Sequence, residues 1–160
     1  QMAAGGSRER LRVVLDASVV SKWIVPGEPW EEEAALLCKR VADGRVEAHV
    51  PALLLYEVSS VILRVARAGA VKMEDALEAL ALLNYLLSVH PAEWRDMPEI
   101  VRLAHATGLT VYDSAYLHLA ASTGAVLVTA DEELATKGKR VADVIHLADL
   151  ASRLRRLGIP

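Results

Sequence analysis

The stretch from Leu109 to Asp131 constrains the fold more than any other part of the chain, because it sets a helix, a strand and two acids in a fixed relation. Ser114 to Ser122 is apolar on nearly every face, as a buried helix is, and Thr123-Gly124 supplies its stop. Ala125 to Thr129 is a short aliphatic run bounded by turn residues, the pattern of a strand buried on both faces. Asp113 then stands at the mouth of the helix and Asp131 just past the C-terminal end of the strand, the edge where open parallel sheets form their ligand crevices. Two carboxylates are thereby expected to converge.

The rest of the chain repeats this alternation. Leu11 to Leu15 is an aliphatic run around one Arg, read as the first and central strand, with Asp16 at its C-terminal tip. Ala17 to Trp23 reads as a short helix broken at Pro26-Gly27, and Pro29 as the opening of a second, whose Ala34, Leu37, Cys38 and Val41 keep helical spacing until Gly44. Val46 to Val50 alternates apolar and polar as a second strand. Pro51 reads as the start of a helix burying Leu53, Leu54, Val58, Val61, Ile62 and Val65, with Glu57 among them. Lys72 to Leu87 forms a partner helix whose surplus of Leu and Ala points to contact with another chain. Ser88 to His90 is a short third strand, Glu99 to Ala106 a helix opened by Pro98 and stopped by Gly108, and Glu132 to Thr136 a brief helix. Val144 to Leu147 is the last strand and Ala148 to Leu157 the last helix. Strands alternating with helices predict an α/β fold, a three-layer α/β/α sandwich on a mainly parallel central sheet.

With 160 residues, 53% of them apolar, the chain has the size of one ordinary domain, so 9–160 reads as a single domain behind a flexible lead at residues 1–8. There is no Phe, and the core must be built from Ala, Val, Leu and Ile. No apolar stretch approaches the roughly 20 residues that span a bilayer, and no signal pattern opens the chain, which predicts a cytoplasmic protein. Cys38 is the only cysteine, so an internal disulfide and a cysteine-based zinc site are both excluded. Asn84 is the only Asn and Gln1 the only Gln, while Arg, Glu and Ala are plentiful, a bias found in proteins of heat-loving organisms. The net charge of −3 argues against broad nucleic-acid affinity. Basic residues nevertheless gather at Arg8, Arg10 and Arg12, at Lys137, Lys139 and Arg140, and at Arg153, Arg155 and Arg156.

Asp is a favoured helix N-cap, and Asp16, Asp113 and Asp131 all stand at predicted helix starts. Thr129 to Glu132 also matches a capping box, with Thr129 as cap and Glu132 reaching back. Glu57 breaks that account. Inside a helix with Leu53, Leu54, Val58 and Val61 as neighbours, an unpaired carboxylate costs roughly several kcal/mol, so a positive group must lie opposite. Arg12, Arg64 and Arg67 reach it only if the fold bends unexpectedly, and a bound cation is the simpler partner. Clustered carboxylates suit Mg²⁺ or Mn²⁺, which prefer such oxygens and keep several waters beside substrate phosphates. The chemistry implied is phosphodiester hydrolysis by a metal-activated water. Ser18, Ser114 and Thr129, each within two residues of an acid, are placed to orient ligands or waters. Tyr56 and Tyr116 lie near acids and read as contacts to substrate or partner at the groove rim. The five histidines show no ligand spacing, and none is assigned to the metal.

Asp16-Ala17-Ser18 after a first strand, Glu57 in its helix, Tyr112-Asp113-Ser114-Ala115 opening a helix and Thr129-Ala130-Asp131 after a strand together resemble the PIN-domain nucleases. Within that family the chain is most similar to the toxins of VapBC-type toxin–antitoxin pairs, over essentially its whole length from Leu11. The resemblance implies a Mg²⁺- or Mn²⁺-dependent endoribonuclease acting on RNA, with Asp16, Glu57, Asp113 and Asp131 as its catalytic and metal-binding acids. It also implies a homodimer, and inhibition by an antitoxin whose tail fills the groove. Ala17 departs from the hydroxyl or polar residue common at its position in the family. Two alternatives keep the same fold: an RNA-processing nuclease without an antitoxin, and a catalytically silent protein-binding module. An aspartyl-phosphate phosphatase fits less well, because that chemistry wants D-x-D where this chain has Asp16-Ala17-Ser18.

Overall fold

The computed structural model describes residues 10–160; the lead expected at residues 1–8, and Arg8 with it, lie outside the described residues. Five aliphatic runs form one sheet in which every pairing is parallel: β1 (Leu11–Leu15), β2 (Val46–Pro51), β3 (Leu87–His90), β4 (Val126–Thr129) and β5 (Val144–His146), in the order β3-β2-β1-β4-β5. Successive residues of a strand point to opposite faces, and Val13, Val14 and Leu15 are all 0% exposed, so the central strand is covered from both sides. The covering helices are α1 (Ala17–Val20), α2 (Glu31–Ala42), α3 (Leu53–Arg67), α4 (Met73–Leu86), α5 (Met97–Thr107), α6 (Val111–Thr123), α7 (Glu132–Gly138) and α8 (Leu150–Arg156). The hub helix α6 lies across β1, β2 and β4, while α2 packs on β2 and against α8. This is the layered α/β architecture that the alternation predicts.

The chain runs outward from β1 through β2 to β3, then crosses to the other side of β1 to make β4 and β5. The direction therefore switches between β1 and β4, and it is at such a point that the C-terminal strand ends part into a crevice. Asp16 follows β1 there, and its N–H donates to the Val128 carbonyl of β4 at 3.1 Å.

Several boundaries fall elsewhere than the sequence predicts, each for a local reason. The hub helix starts at Val111 rather than Ser114, because Thr110 caps it: Thr110 Oγ1 accepts from the Asp113 N–H at 3.0 Å. It ends where expected, at Gly124 in the left-handed conformation (φ 65°). Pro29 does not open α2; Trp30 intervenes with φ 64°, and the helix begins at Glu31, with three glutamates complementing its N-terminal dipole. Pro51 ends β2 instead of starting α3, in register with His90. Leu147 leaves the last strand for a 3-10 turn, Leu147–Asp149, where His146 Nδ1 accepts from the Ala148 N–H at 3.0 Å. No described helix is long and apolar enough to cross a membrane.

Candidate active site

Asp16 is 7% exposed, and its Oδ2 accepts from Ser18 Oγ at 2.7 Å and Thr129 Oγ1 at 2.8 Å. Each hydroxyl also accepts. Ser18 Oγ takes the Ala130 N–H and Thr129 Oγ1 the Asp131 N–H, both at 3.0 Å. The two short side chains thus stitch the tip of β1 to the loop leaving β4. Asp131 itself caps α7, its Oδ1 accepting from the Leu134 N–H at 2.8 Å. The capping box expected around Thr129 does not form: Thr129 is still in the strand with its hydroxyl serving Asp16, and Asp131 is a simple cap with Leu134 three residues on.

Asp113 sits in the first turn of α6, half-buried. Glu57 projects from α3, where Tyr116 of α6 donates its hydroxyl to Oε1 at 2.8 Å. Tyr116 is only 1% exposed, which removes it from the groove rim where the sequence pattern puts it: its phenol is a buried tie between two helices. Tyr56, 78% exposed beside Glu57, is in the open. Ser114 does not join the network either. It is fully buried, and its hydroxyl donates to the Thr110 carbonyl of its own helix at 2.8 Å, as hydroxyls one turn into a helix readily do.

Burial raises the carboxyl pKa of Asp16, Glu57 and Asp113 above the ordinary range, partly opposed by the hydroxyls of Ser18 and Thr129, of Tyr116 and of Thr110 respectively. The acids also raise one another: Asp113 acts on Asp16, both act on Glu57, and Asp131 and Glu133 act on Asp113. Burial, with Glu57 and Asp16 close by, drives the Tyr116 phenol up as well, so it keeps its proton. Among the described residues no Lys or Arg forms an ion pair with any of the four acids, so Arg12, Arg64 and Arg67 are not the partners of Glu57.

Among the described residues no three His, Cys, Asp or Glu side chains converge closely enough to enclose an ion by themselves. Mg²⁺ keeps several waters and is held by one or two carboxylates plus substrate phosphates, and for that mode neighbouring, uncompensated carboxylates are a fitting set.

Sequence reasoning misses three features. Thr110 has a detectable signal, the Thr-x-x-acid spacing to Asp113. The Tyr116–Glu57 bond joins residues on different elements and has none. His49 Nδ1 and His90 Nε2, which look isolated in the chain, lie 2.8 Å apart across β2 and β3, with His49 Nε2 a further 2.7 Å from Glu47. Of the basic clusters, Lys137 pairs with Glu133 and Arg153 with Asp143.

Known proteins resemble the chain in both sequence and fold. Residues 13–140 match the PIN domain. Ribonuclease VapC3 of Pyrobaculum aerophilum is 33% identical over 130 residues, 79% of this chain and 95% of the relative. Exonuclease VapC9 of the same organism is 38% identical over 92 residues, 58% of this chain and 68% of the relative. The crystal structure of PAE2754, again from Pyrobaculum aerophilum, superposes with a TM-score of 0.68 at 25% identity, covering 98% of this chain and 100% of that one. The structure of VapBC2 from Rickettsia felis, at 16% identity, covers 85% of this chain and 97% of its own with a TM-score of 0.58, a likeness of fold alone.

Proposed function

This chain belongs to the PIN domain family, and from that premise we propose that it is a Mg²⁺- or Mn²⁺-dependent endoribonuclease, the toxin of a VapBC-type pair. The observation that carries the reading is the set of acids at the β1/β4 switch. Four carboxylates, from four different parts of the chain, share one field with no basic side chain paired to any of them among the described residues. A fold that merely needed caps there has no reason to accept that repulsion. The ribonuclease and exonuclease named among its relatives support the same chemistry.

Asp16, Glu57, Asp113 and Asp131 would hold the ion, directly or through its waters. When bound, it supplies positive charge to the phosphate and leaving oxygens and an acidic water for attack. The chain supplies the rest. Ser18 and Thr129 fix the Asp16 carboxylate, and the Leu134 N–H fixes Asp131. Because Asp16, Glu57 and Asp113 hold protons above the ordinary range, loading the site releases protons, and binding strengthens as pH rises. The exposed apolar residues Leu55 and Leu63 on α3 and Leu77, Leu82 and Tyr85 on α4 support a protein interface, read here as that of a homodimer or of the antitoxin. Residues 9–160 act as one domain, in the cytoplasm.

A quenched-fluorophore linear RNA and a circular RNA of the same sequence, each with Mn²⁺, Mg²⁺ or EDTA, test the activity. Metal-dependent opening of the circle supports an endonuclease; cleavage of the linear RNA alone makes the enzyme an exonuclease. Silence on many RNAs from a pure, metal-loaded protein replaces the enzyme with a binding module. Light scattering of the purified chain, with and without a co-expressed partner, reports dimer and antitoxin.

A further inference from the structure

We propose that Tyr116 is a positioning residue for Glu57: its buried hydroxyl holds one carboxylate oxygen and so fixes how Glu57 is presented to a metal ion or its water. The inference rests on the functional reading above and deepens it.

Glu57 lies on α3 at the border between its exposed side, Leu55 and Tyr56, and its buried side, Leu54 and Val58, and is itself half-buried. A glutamate there has three rotatable bonds and many accessible rotamers. Tyr116 has almost none, being packed in the core at 1% exposure. The bond between them, Oη to Oε1 at 2.8 Å, therefore transfers the rigidity of the core to a flexible acid. A buried phenol requires a partner, and among the described residues Glu57 is the acceptor it has. The carboxylate is thus tied to the core at one oxygen, while the other has no donor in the fold among the described residues.

The tie also explains why one helix organises the site. Tyr116 follows Asp113 by three residues on α6, a spacing that puts both on one face, neighbours about 5–6 Å apart at Cβ. α6 thus delivers one acid directly and sets a second, borne on α3, through a hydroxyl.

Mn²⁺ binding by titration calorimetry to the wild type, Tyr116→Phe, Glu57→Gln and the double variant tests this, with metal-free melting as the control. Removing a group that orients a metal ligand typically weakens affinity by about 10–100-fold. Tyr116→Phe is expected to lie in that range with little change in melting, and to add nothing once Glu57→Gln is present. Wild-type affinity in Tyr116→Phe would overturn the proposal, as would independent, multiplying effects of the two substitutions. A Tyr116→Phe chain that no longer folds would make the hydroxyl a structural tie and overturn it equally. If Glu57→Gln weakens binding while Tyr116→Phe does not, only this inference falls; if the wild type binds no Mn²⁺, the metal-dependent reading falls with it.

Discussion

Carboxylates at the two edges of the same sheet receive opposite treatment. Ahead of β5, at the N-terminal edge, Asp143 is gripped by the two guanidinium nitrogens of Arg153 at 2.9 and 3.0 Å, which holds its carboxyl below the ordinary range against some burial. Ahead of β2, Asp43 is lowered likewise: burial works against it, but the Arg45 amide and the Arg40 guanidinium prevail. At the C-terminal edge Asp16, Glu57 and Asp113 are raised, by burial and by one another, with no cation paired to them among the described residues. The chain has 18 Lys and Arg to place, and it sets them against Asp143 and Asp43 but, among the described residues, against none of these three. An edge where charge is left uncomplemented works against stability, and such an edge is where function is expected.

The hardest blow to that contrast is Asp113→Asn. Removing one charge-bearing group from a preorganised site typically costs about 10²–10³-fold in rate, and metal-dependent RNA cleavage should fall by at least that much. Metal-free melting should hold or rise, since a repelled carboxylate has become a neutral amide of the same shape. Cleavage at the wild-type rate would remove Asp113 from the site; a large drop in melting would make it a structural acid like Asp143.

The pH dependence of stability should carry opposite signs at the two edges. For a carboxyl raised in the folded state, the unfolded chain ionises first as pH climbs through the ordinary values of 3.8 for Asp and 4.5 for Glu. The folded protein then binds more protons, and stability falls until the folded-state acids ionise too. Metal-free protein should accordingly melt lower as pH climbs from the ordinary carboxylate values through the raised folded-state ones, by about 3 °C for each kcal/mol involved. Mn²⁺ should recover the loss at pH 8 by mass action. Asp143, lowered by Arg153, stabilises above the ordinary carboxylate range, and that contribution is lost only as pH falls below it. A melting profile that does not fall as pH climbs above the ordinary carboxylate values, unchanged in Asp113→Asn, would break the comparison.

Thr110→Ala sharpens it at smaller cost. The cap it removes is worth about 1 kcal/mol, or roughly 3 °C in a chain of this size. Thr110 Oγ1 accepts from the backbone of Asp113 itself, so cleavage should fall alongside melting. A loss of melting alone would separate the cap from the catalytic edge.

The candidate site was legible in the sequence to the extent that one residue's position suffices. Asp16 and Asp131 announce themselves by following aliphatic runs, and a parallel sheet sends every strand's C-terminal end to the same side. Glu57 announces itself by its apolar neighbours. What pairs with each acid depends on helix rotation and packing, which no local pattern encodes. The Tyr116 phenol reads equally well as rim or core until α6 is laid across β1, β2 and β4. Ser114 is a similar case: its hydroxyl has a carbonyl within its own helix and takes it, so closeness to Asp113 in sequence points to the wrong role.

The smallest expected effect tests the complemented edge. Arg153→Ala breaks a two-point bridge whose side chains are 26% and 53% exposed, and such pairs, screened by solvent, contribute about 0.2–1 kcal/mol. The melting midpoint should drop by roughly 1–3 °C at neutral pH. The drop should shrink in 1 M salt, where charges are screened within about 3 Å, and at acid pH once the lowered folded-state carboxyl of Asp143 is itself protonated. RNA cleavage should not change, because Arg153 stands ahead of the strands and the acids behind them. A loss of cleavage without a loss of melting would bring the basic face of α8 into substrate binding, and the N-terminal edge would no longer be the purely structural half of the sheet.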